Sequence, residues 1–221
     1  MINIAIDGPA GAGKSTIARR VAHELSYIYV DTGAMYRAMA LYLHRNGIAA
    51  EDTDRIAAAC DGAQISIEYR DGEQIVLLGG ENVNPFLRTQ EVSAMASKSS
   101  AVPQVRTRLV QLQQELAARQ NVVMDGRDIG TVVLPEAQVK IYLTASVEVR
   151  ARRRFLELQE KGESPVLEEI AAEIAERDHR DMTREVSPLK QADDAVLVDT
   201  SDMTIEEVSE QILRIVREKT A

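Results

Sequence analysis

Gly8-Pro9-Ala10-Gly11-Ala12-Gly13-Lys14-Ser15-Thr16, arriving directly after the apolar run Ile2-Asn3-Ile4-Ala5-Ile6, is the stretch whose reading decides the fold. Its glycines let the backbone turn tightly and aim successive N–H groups at an anion. Lys14 brings a mobile positive charge to terminal phosphates, and Ser15 offers a hydroxyl to a magnesium ion. The apolar run predicts a buried strand entering the loop. Ile17, Ala18, Val21, Ala22 and Leu25 repeat at helical spacing, so a helix leaves it. This strand–loop–helix context separates a phosphate-binding P-loop from a glycine-rich turn with an incidental lysine.

Working outward, strand-like runs lie at 2–6, 27–30, 122–124, 139–143 and 195–198, with helical patterns between them. Such alternation predicts an α/β fold of the P-loop NTPase class, a parallel sheet with helices on both faces. Helices are expected over 35–45, ended by Gly47, and over 105–118. A last helix opens with a capping box, Thr204 to Glu207. Two excursions interrupt the alternation. Residues 65–69 and 74–78 flank Asp71-Gly72, a two-residue turn signal, so an antiparallel hairpin insertion is expected near 63–83. Between Arg150 and Arg184, two helical stretches rich in arginine meet at Lys161-Gly162-Glu163-Ser164-Pro165.

A chain of 221 residues, 45% of them hydrophobic, suits one α/β domain with small excursions. A net charge of -9 argues against a nucleic-acid polymer or an anionic membrane as partner, since both reward a basic face. Cys60 is the one cysteine, so no intramolecular disulfide can form. It reads as a small core residue in a helical stretch over 56–60, and a reducing, cytoplasmic location is expected. Asp7 breaks the amino-terminal apolar run, and neither a signal peptide nor a membrane span is expected.

Three further clusters carry chemistry. Asp31-Thr32-Gly33-Ala34-Met35-Tyr36-Arg37 lies where a strand gives way to a helix. A hydroxyl, helix-start amides and an arginine one turn on make a place for a second phosphate, while helix capping by Asp31 or Thr32 accounts for the same residues. Asp125-Gly126-Arg127-Asp128 ends another strand. An acid at a strand's carboxyl end beside a P-loop is placed to organise a magnesium shell, and Arg127 to hold the transferred or accepting phosphate; the alternative is a surface turn with a local ion pair. Arg177, Asp181 and Arg184 share a helix face and could clamp phosphate oxygens. Arg150, Arg153 and Arg154 form another basic face upstream. By charge pattern alone, both faces read as solvated and salt-bridging. His23, His44 and His179 have no metal-ligand spacing and are placed on solvated or packed helix faces.

Together, Gly8 to Thr16, Asp31 to Arg37, Asp125-Gly126-Arg127-Asp128-Ile129-Gly130-Thr131 and Glu176-Arg177-Asp178-His179-Arg180-Asp181 resemble bacterial cytidylate kinases, in the nucleoside-monophosphate kinase family, from end to end. The resemblance implies a single kinase domain over 1–221. It would carry a monophosphate-binding excursion at about 32–104, holding the hairpin, and a short arginine-rich lid at about 150–184. It implies transfer of the ATP γ-phosphoryl to CMP or dCMP, in pyrimidine nucleotide metabolism, with magnesium accompanying ATP and no covalent intermediate. Gly8, Pro9, Ala10, Gly11, Ala12, Gly13, Lys14, Ser15 and Thr16 would bind ATP, with the hydroxyl of Ser15, or of Thr16 beside it, toward the metal. Thr32, Arg37 and Arg127 would grip the acceptor phosphate, and Ser97, Arg106 and Asp128 would read cytosine. Arg177 and Asp181 would reach sugar and phosphates. Lys14, Asp125, Arg127, Arg177 and Arg184 would serve catalysis. A carboxylate at Asp128 complements the exocyclic amino group of cytosine and repels the carbonyl of uracil. ATP, CMP and dCMP are thus the expected partners of a monomeric chain.

Two other readings use the same loop. A P-loop kinase for a non-nucleotide acceptor, such as shikimate or dephospho-coenzyme A, leaves the cytosine-reading residues unexplained. A guanine-nucleotide switch calls for Asn-Lys-x-Asp, and the chain has no Asn-Lys pair.

Overall fold

The computed structural model describes residues 1–70 and 72–220. In chain order they form β1 (Asn3–Asp7), α1 (Lys14–Leu25), β2 (Ile28–Asp31), α2 (Thr32–Arg45) and α3 (Thr53–Ala59), then β3 (Ile65–Arg70), β4 (Glu73–Leu78) and β5 (Glu81–Asn82). There follow α4 (Gln90–Ser99), α5 (Pro103–Ala117), β6 (Val122–Gly126), β7 (Val139–Thr144), α6 (Val147–Glu160), α7 (Leu167–Thr183), β8 (Val196–Asp199) and α8 (Ile205–Thr220). These elements fall into two compact units, one of residues 28–120 and a larger one of 2–27 with everything from Asn121 onward.

In the larger unit β1 pairs in parallel with β6 on one side and β7 on the other, and β8 continues the order beyond β7. Ile4, Ile6, Val123, Met124, Val139, Ile141 and Leu143 are fully buried, the near-continuous apolar runs that parallel strands covered on both faces require. Helices α1 and α8 pack on each other and against this sheet through Ile17, Val21, Val208 and Ile212. The capping box at α8 closes reciprocally. Glu207 Oε2 accepts from Thr204 N at 2.8 Å and Thr204 Oγ1 accepts from Glu207 N at 3.2 Å.

The loop between β1 and α1 turns on glycine. Gly8 has φ +147° and lies so close to β7 that a Cβ there would fall on the carbonyl oxygen of Leu143, while Gly11 and Gly13 hold φ +76° and +88°. The approach of Gly8 to β7 sets where the loop leaves the sheet.

In the smaller unit, β3 and β4 pair antiparallel from Ile65↔Leu78 to Arg70↔Glu73, as the predicted hairpin requires, and β5 adds a third strand too short to announce itself in the sequence. Of the predicted turn, Asp71 lies outside the described residues and Gly72 holds φ +80°. Helix α2 packs on α4 and α5 around Met35, Met39, Leu43, Val92 and Leu109. Two of the boundaries that differ from expectation have a clear local cause. Helix α2 starts at Thr32 because Asp31 caps it, accepting from Ala34 N at 2.8 Å. Cys60 lies beyond α3 in a 3-10 turn, Cys60–Gly62, where the helix tightens before ending; its side chain is buried as predicted. Among the described residues no helix is long and apolar enough to cross a membrane.

Gly8→Ala should cost about 3 kcal/mol or more of stability, since strain in φ adds to a backbone collision. Urea unfolding followed by circular dichroism measures it, and a loss under about 1 kcal/mol would contradict the packing described.

Candidate active site

The chemistry of the larger unit begins at the start of α1. Gly13 is its N-cap and supplies no side-chain acceptor, and no acidic residue sits in the first turn. The first amides of α1 are therefore left to an anion, which the helix dipole also favours. Lys14, only 5% exposed, donates from Nζ to Pro9 O at 2.7 Å. Burial holds its ammonium well below the usual lysine range, and the nearby charges of Arg127 and Arg177 push the same way against Asp125 and Asp7. A lysine so destabilised gains most from an incoming anion.

Ser15 Oγ donates to Asp125 Oδ2 at 2.9 Å, tying the first turn of α1 to the end of β6. Thr16 is exposed. A hydroxyl beside a carboxylate is the oxygen donor set that magnesium takes alongside phosphate oxygens. No group of three or more potential metal-ligating side chains exists among the described residues.

Arg127 donates from Nε to Asp181 Oδ2 at 2.9 Å, and Asp181 Oδ1 lies 3.9 Å from Arg184 Nη1. Burial would raise the Asp181 carboxyl, but Arg127, Arg177 and Arg184 outweigh it and hold the group below the usual aspartate range. This acid is therefore part of a buried charge network and not of a solvated face. Arg177 is exposed, yet its charge reaches both Lys14 and Asp181. The upstream basic face is split. Arg150 is 3% exposed, Arg153 donates to Thr200 O at 2.6 Å, and Arg154 is solvated beside Glu157. His23, His44 and His179 are all exposed.

Asp128, 3% exposed, opens a π-helical turn over Ile129–Val133, its carbonyl accepting from Val132 N and Val133 N. The turn is anchored by Asp7, which sequence reasoning missed. Asp7 Oδ1 accepts from Ile129 N at 2.8 Å and Oδ2 from Gly130 N at 2.7 Å. Burial pushes the Asp7 carboxyl up to about 6 although both amides oppose the shift. An acid ending an otherwise apolar strand was the available signal. Arg150 was also missed as a structural centre. Its guanidinium donates to Ala145 O and to Ala10 O, both at 2.9 Å, and to Asp178 Oδ2 at 2.6 Å, so one buried side chain joins the glycine loop, α6 and α7.

The smaller unit gathers the remaining predicted residues. Thr32 is buried at the start of α2. Arg37, a turn on, faces Asp31 Oδ2 from Nη2 at 3.2 Å, and its Nε is buried with no hydrogen-bond partner among the described residues. A guanidinium with a buried donor to spare is what an anion would complete. Arg106, 3% exposed on α5, stacks over the Tyr36 ring at 5.3 Å and donates from Nη1 to Ser100 O at 3.0 Å. Ser100 Oγ in turn donates to Ser97 O at 3.0 Å, so Arg106 and Ser97 belong to one connected patch. Lys14, Ser15, Asp125, Arg127, Asp181 and Arg184 form one set within the larger unit, and Thr32, Arg37, Ser97 and Arg106 another within the smaller.

A family model described as cytidylate kinase matches residues 4–218 of the chain. The cytidylate kinase of Caldicellulosiruptor bescii is 51% identical over 214 residues, 97% of this chain and 95% of that protein. That of Carboxydothermus hydrogenoformans is 50% identical over 218 residues, covering 99% and 98%, and that of Lactobacillus johnsonii 49% identical over 219 residues, covering 99% and 95%. Among solved structures, an uncharacterised protein from Eubacterium ventriosum superposes with TM-score 0.55 at 11% identity, over 98% of this chain and 99% of that one, a likeness of fold alone. Similarity of that extent to the sequences, on a glycine loop with a buried lysine and a Ser15–Asp125 pair, places the chain in the cytidylate kinase family.

Proposed function

We propose that this chain transfers the γ-phosphoryl group of ATP to CMP, and to dCMP as a second acceptor, giving ADP with CDP or dCDP. The observation that carries the reading is the buried Lys14 at the mouth of an uncapped α1, beside the bonded pair Ser15 and Asp125, in a chain similar over its whole length to cytidylate kinases. An acceptor phosphate, with a second pKa of about 6, is largely a dianion at neutral pH, so its oxygen can attack without a protein base. One P–O bond forms, the bond to the β,γ-bridging oxygen breaks, and ADP leaves with that electron pair. The protein's work is alignment and charge neutralisation.

Loop 8–13 and the first amides of α1 hold the donor phosphates, and Lys14 follows the charge that moves toward the bridging oxygen. Magnesium, held by Ser15 Oγ with Asp125 behind it, would supply further neutralisation of the phosphates. Arg127 leaves Asp181 for phosphate oxygens as substrates arrive, with Arg177 and Arg184 adding positive charge. Thr32 and Arg37 grip the acceptor phosphate, Arg37 with the Nε donor that has no hydrogen-bond partner among the described residues. Asp128, Arg106 and Ser97 read the base, Asp128 accepting from the exocyclic amino group of cytosine. Residues 32–104 serve as the acceptor-binding excursion and 150–184 as the lid, in a monomeric enzyme of a reducing, cytoplasmic compartment.

A coupled assay of ATP consumption against CMP, dCMP, UMP, AMP and shikimate tests the reading, with turnover expected on CMP and dCMP first. Preferential turnover of shikimate or AMP would overturn it. Lys14→Ala should lower kcat about a hundredfold or more at saturating substrates while the melting curve stays native-like, because its interaction is strongest as the bond breaks. Near wild-type turnover would remove Lys14 from this role.

Asp128→Ala should lower the ratio of kcat/KM for CMP over UMP by roughly tenfold to a hundredfold, equal to about 1–3 kcal/mol of lost discrimination. An unchanged ratio would exclude Asp128 from base recognition. For the lid, amide hydrogen exchange over 150–184 should slow when a bisubstrate analogue binds, with α6 and α7 responding together because Arg150 and Asp178 join them. Equal protection with and without the analogue would mean that no ligand-driven lid exists.

A further inference from the structure

The antiparallel insertion has no part in the chemistry above, yet one of its side chains reaches the end of β2. Gln74 on β4 accepts at Oε1 from Asp31 N at 2.8 Å and donates from Nε2 to Asp31 O at 3.2 Å. One side-chain amide thus makes the two-point pairing that a neighbouring strand ordinarily makes to a residue's backbone. Tyr69 on β3 adds a second tie, its hydroxyl donating to Tyr29 O at 3.2 Å. Gln74 is itself fixed by Asn84, whose Nδ2 donates to Gln74 O at 2.8 Å and whose Oδ1 accepts from Val76 N at 3.0 Å.

Asp31 is where these ties converge. Its backbone is held by Gln74, its Oδ1 caps α2 through Ala34 N, and its Oδ2 faces Arg37 Nη2. Thr32 follows it directly in the chain. We propose that the β3–β4 insertion is a buttress for the acceptor-phosphate site, with Gln74 as the positioning residue that fixes Asp31 and through it Thr32 and Arg37. The proposal rests on the CMP kinase reading. A displaced Asp31 would move the cap of α2 and the carboxylate that orients the Arg37 guanidinium together, so capture of the acceptor phosphate should suffer before the chemical step does.

Gln74→Leu removes both bonds at similar volume, and Tyr69→Phe removes the hydroxyl alone. Steady-state kinetics with CMP and ATP varied separately, beside calorimetric titration with CMP and a melting curve, tests the proposal. Gln74→Leu should raise KM and Kd for CMP about five- to tenfold, the scale of one ordinary hydrogen bond, with kcat within about twofold and KM for ATP unchanged. Tyr69→Phe should raise KM for CMP about twofold, again without touching ATP, and stands as the test if the leucine variant does not fold. Unchanged KM for CMP in the folded variants, or an equal rise in KM for both substrates with a lowered melting temperature, would overturn the buttress. A wild-type protein that does not phosphorylate CMP would instead reject the functional reading on which it rests.

Discussion

The parallel pairing of β1 between β6 and β7 is the constraint on which the rest of the larger unit depends. Its register sets Asp7 opposite Gly126 on one side and Tyr142 on the other. The chain therefore leaves β1 at the same level at which β6 delivers Asp125, Arg127 and Asp128. The carboxyl ends of parallel strands gather loops in this way, and a ligand site at that edge follows from topology. Gly8 makes the exit possible by passing against the Leu143 carbonyl where no side chain fits. Ser15 can then reach Asp125 within the first turn of α1.

Much of this was legible in the chain because covered parallel strands must be apolar throughout. The runs at 122–124 and 139–143 mark β6 and β7, which extend slightly further, to Gly126 and Thr144, because the apolar run that marks each strand stops before its last hydrogen-bonded residues. The hairpin was legible from alternation around a glycine turn, and α8 from its capping box. Helix α4 and strand β5 were not, since the buried stripe of α4 is Val92, Met95, Ala96 and Ser99, with only two large apolar side chains and a serine at its end, and β5 is two residues long. Asp7 and Arg150 eluded the reading for another reason. A charged residue looks the same in sequence whether its partner is water or a distant backbone, and Arg150 meets Ala10 140 residues away and Asp178 28 residues away. Resemblance to a family supplied the residues proposed to read cytosine, which composition and spacing could not.

The charges of the site are held in an unsettled balance. Lys14 is disfavoured as a cation by burial, Asp7 is pushed toward its neutral form at about 6, and Asp181 is held ionised by three arginines. These shifts pull stability in opposite directions with pH. Asp7 binds its proton more tightly folded than unfolded, so its contribution is full below the ordinary aspartate value of 3.8 and fades as pH rises through 6. Asp181 is the reverse, with its contribution present above 3.8 and lost as acid protonates it. If Lys14 and Arg127 take phosphates as proposed, a polyanionic ligand would relieve the first strain at Lys14 while competing with Asp181 for Arg127.

The seclusion of Cys60 has a consequence for chemical reactivity. It is the one thiol of the chain, its Sγ donates to Ala57 O at 3.3 Å, and burial raises its thiol above the usual range, so little nucleophilic thiolate forms in the native state. An alkylating reagent can modify it only when the packing around α3 and α5 opens. The rate of that single covalent event becomes a clock for whichever opening, local or global, first exposes the thiol.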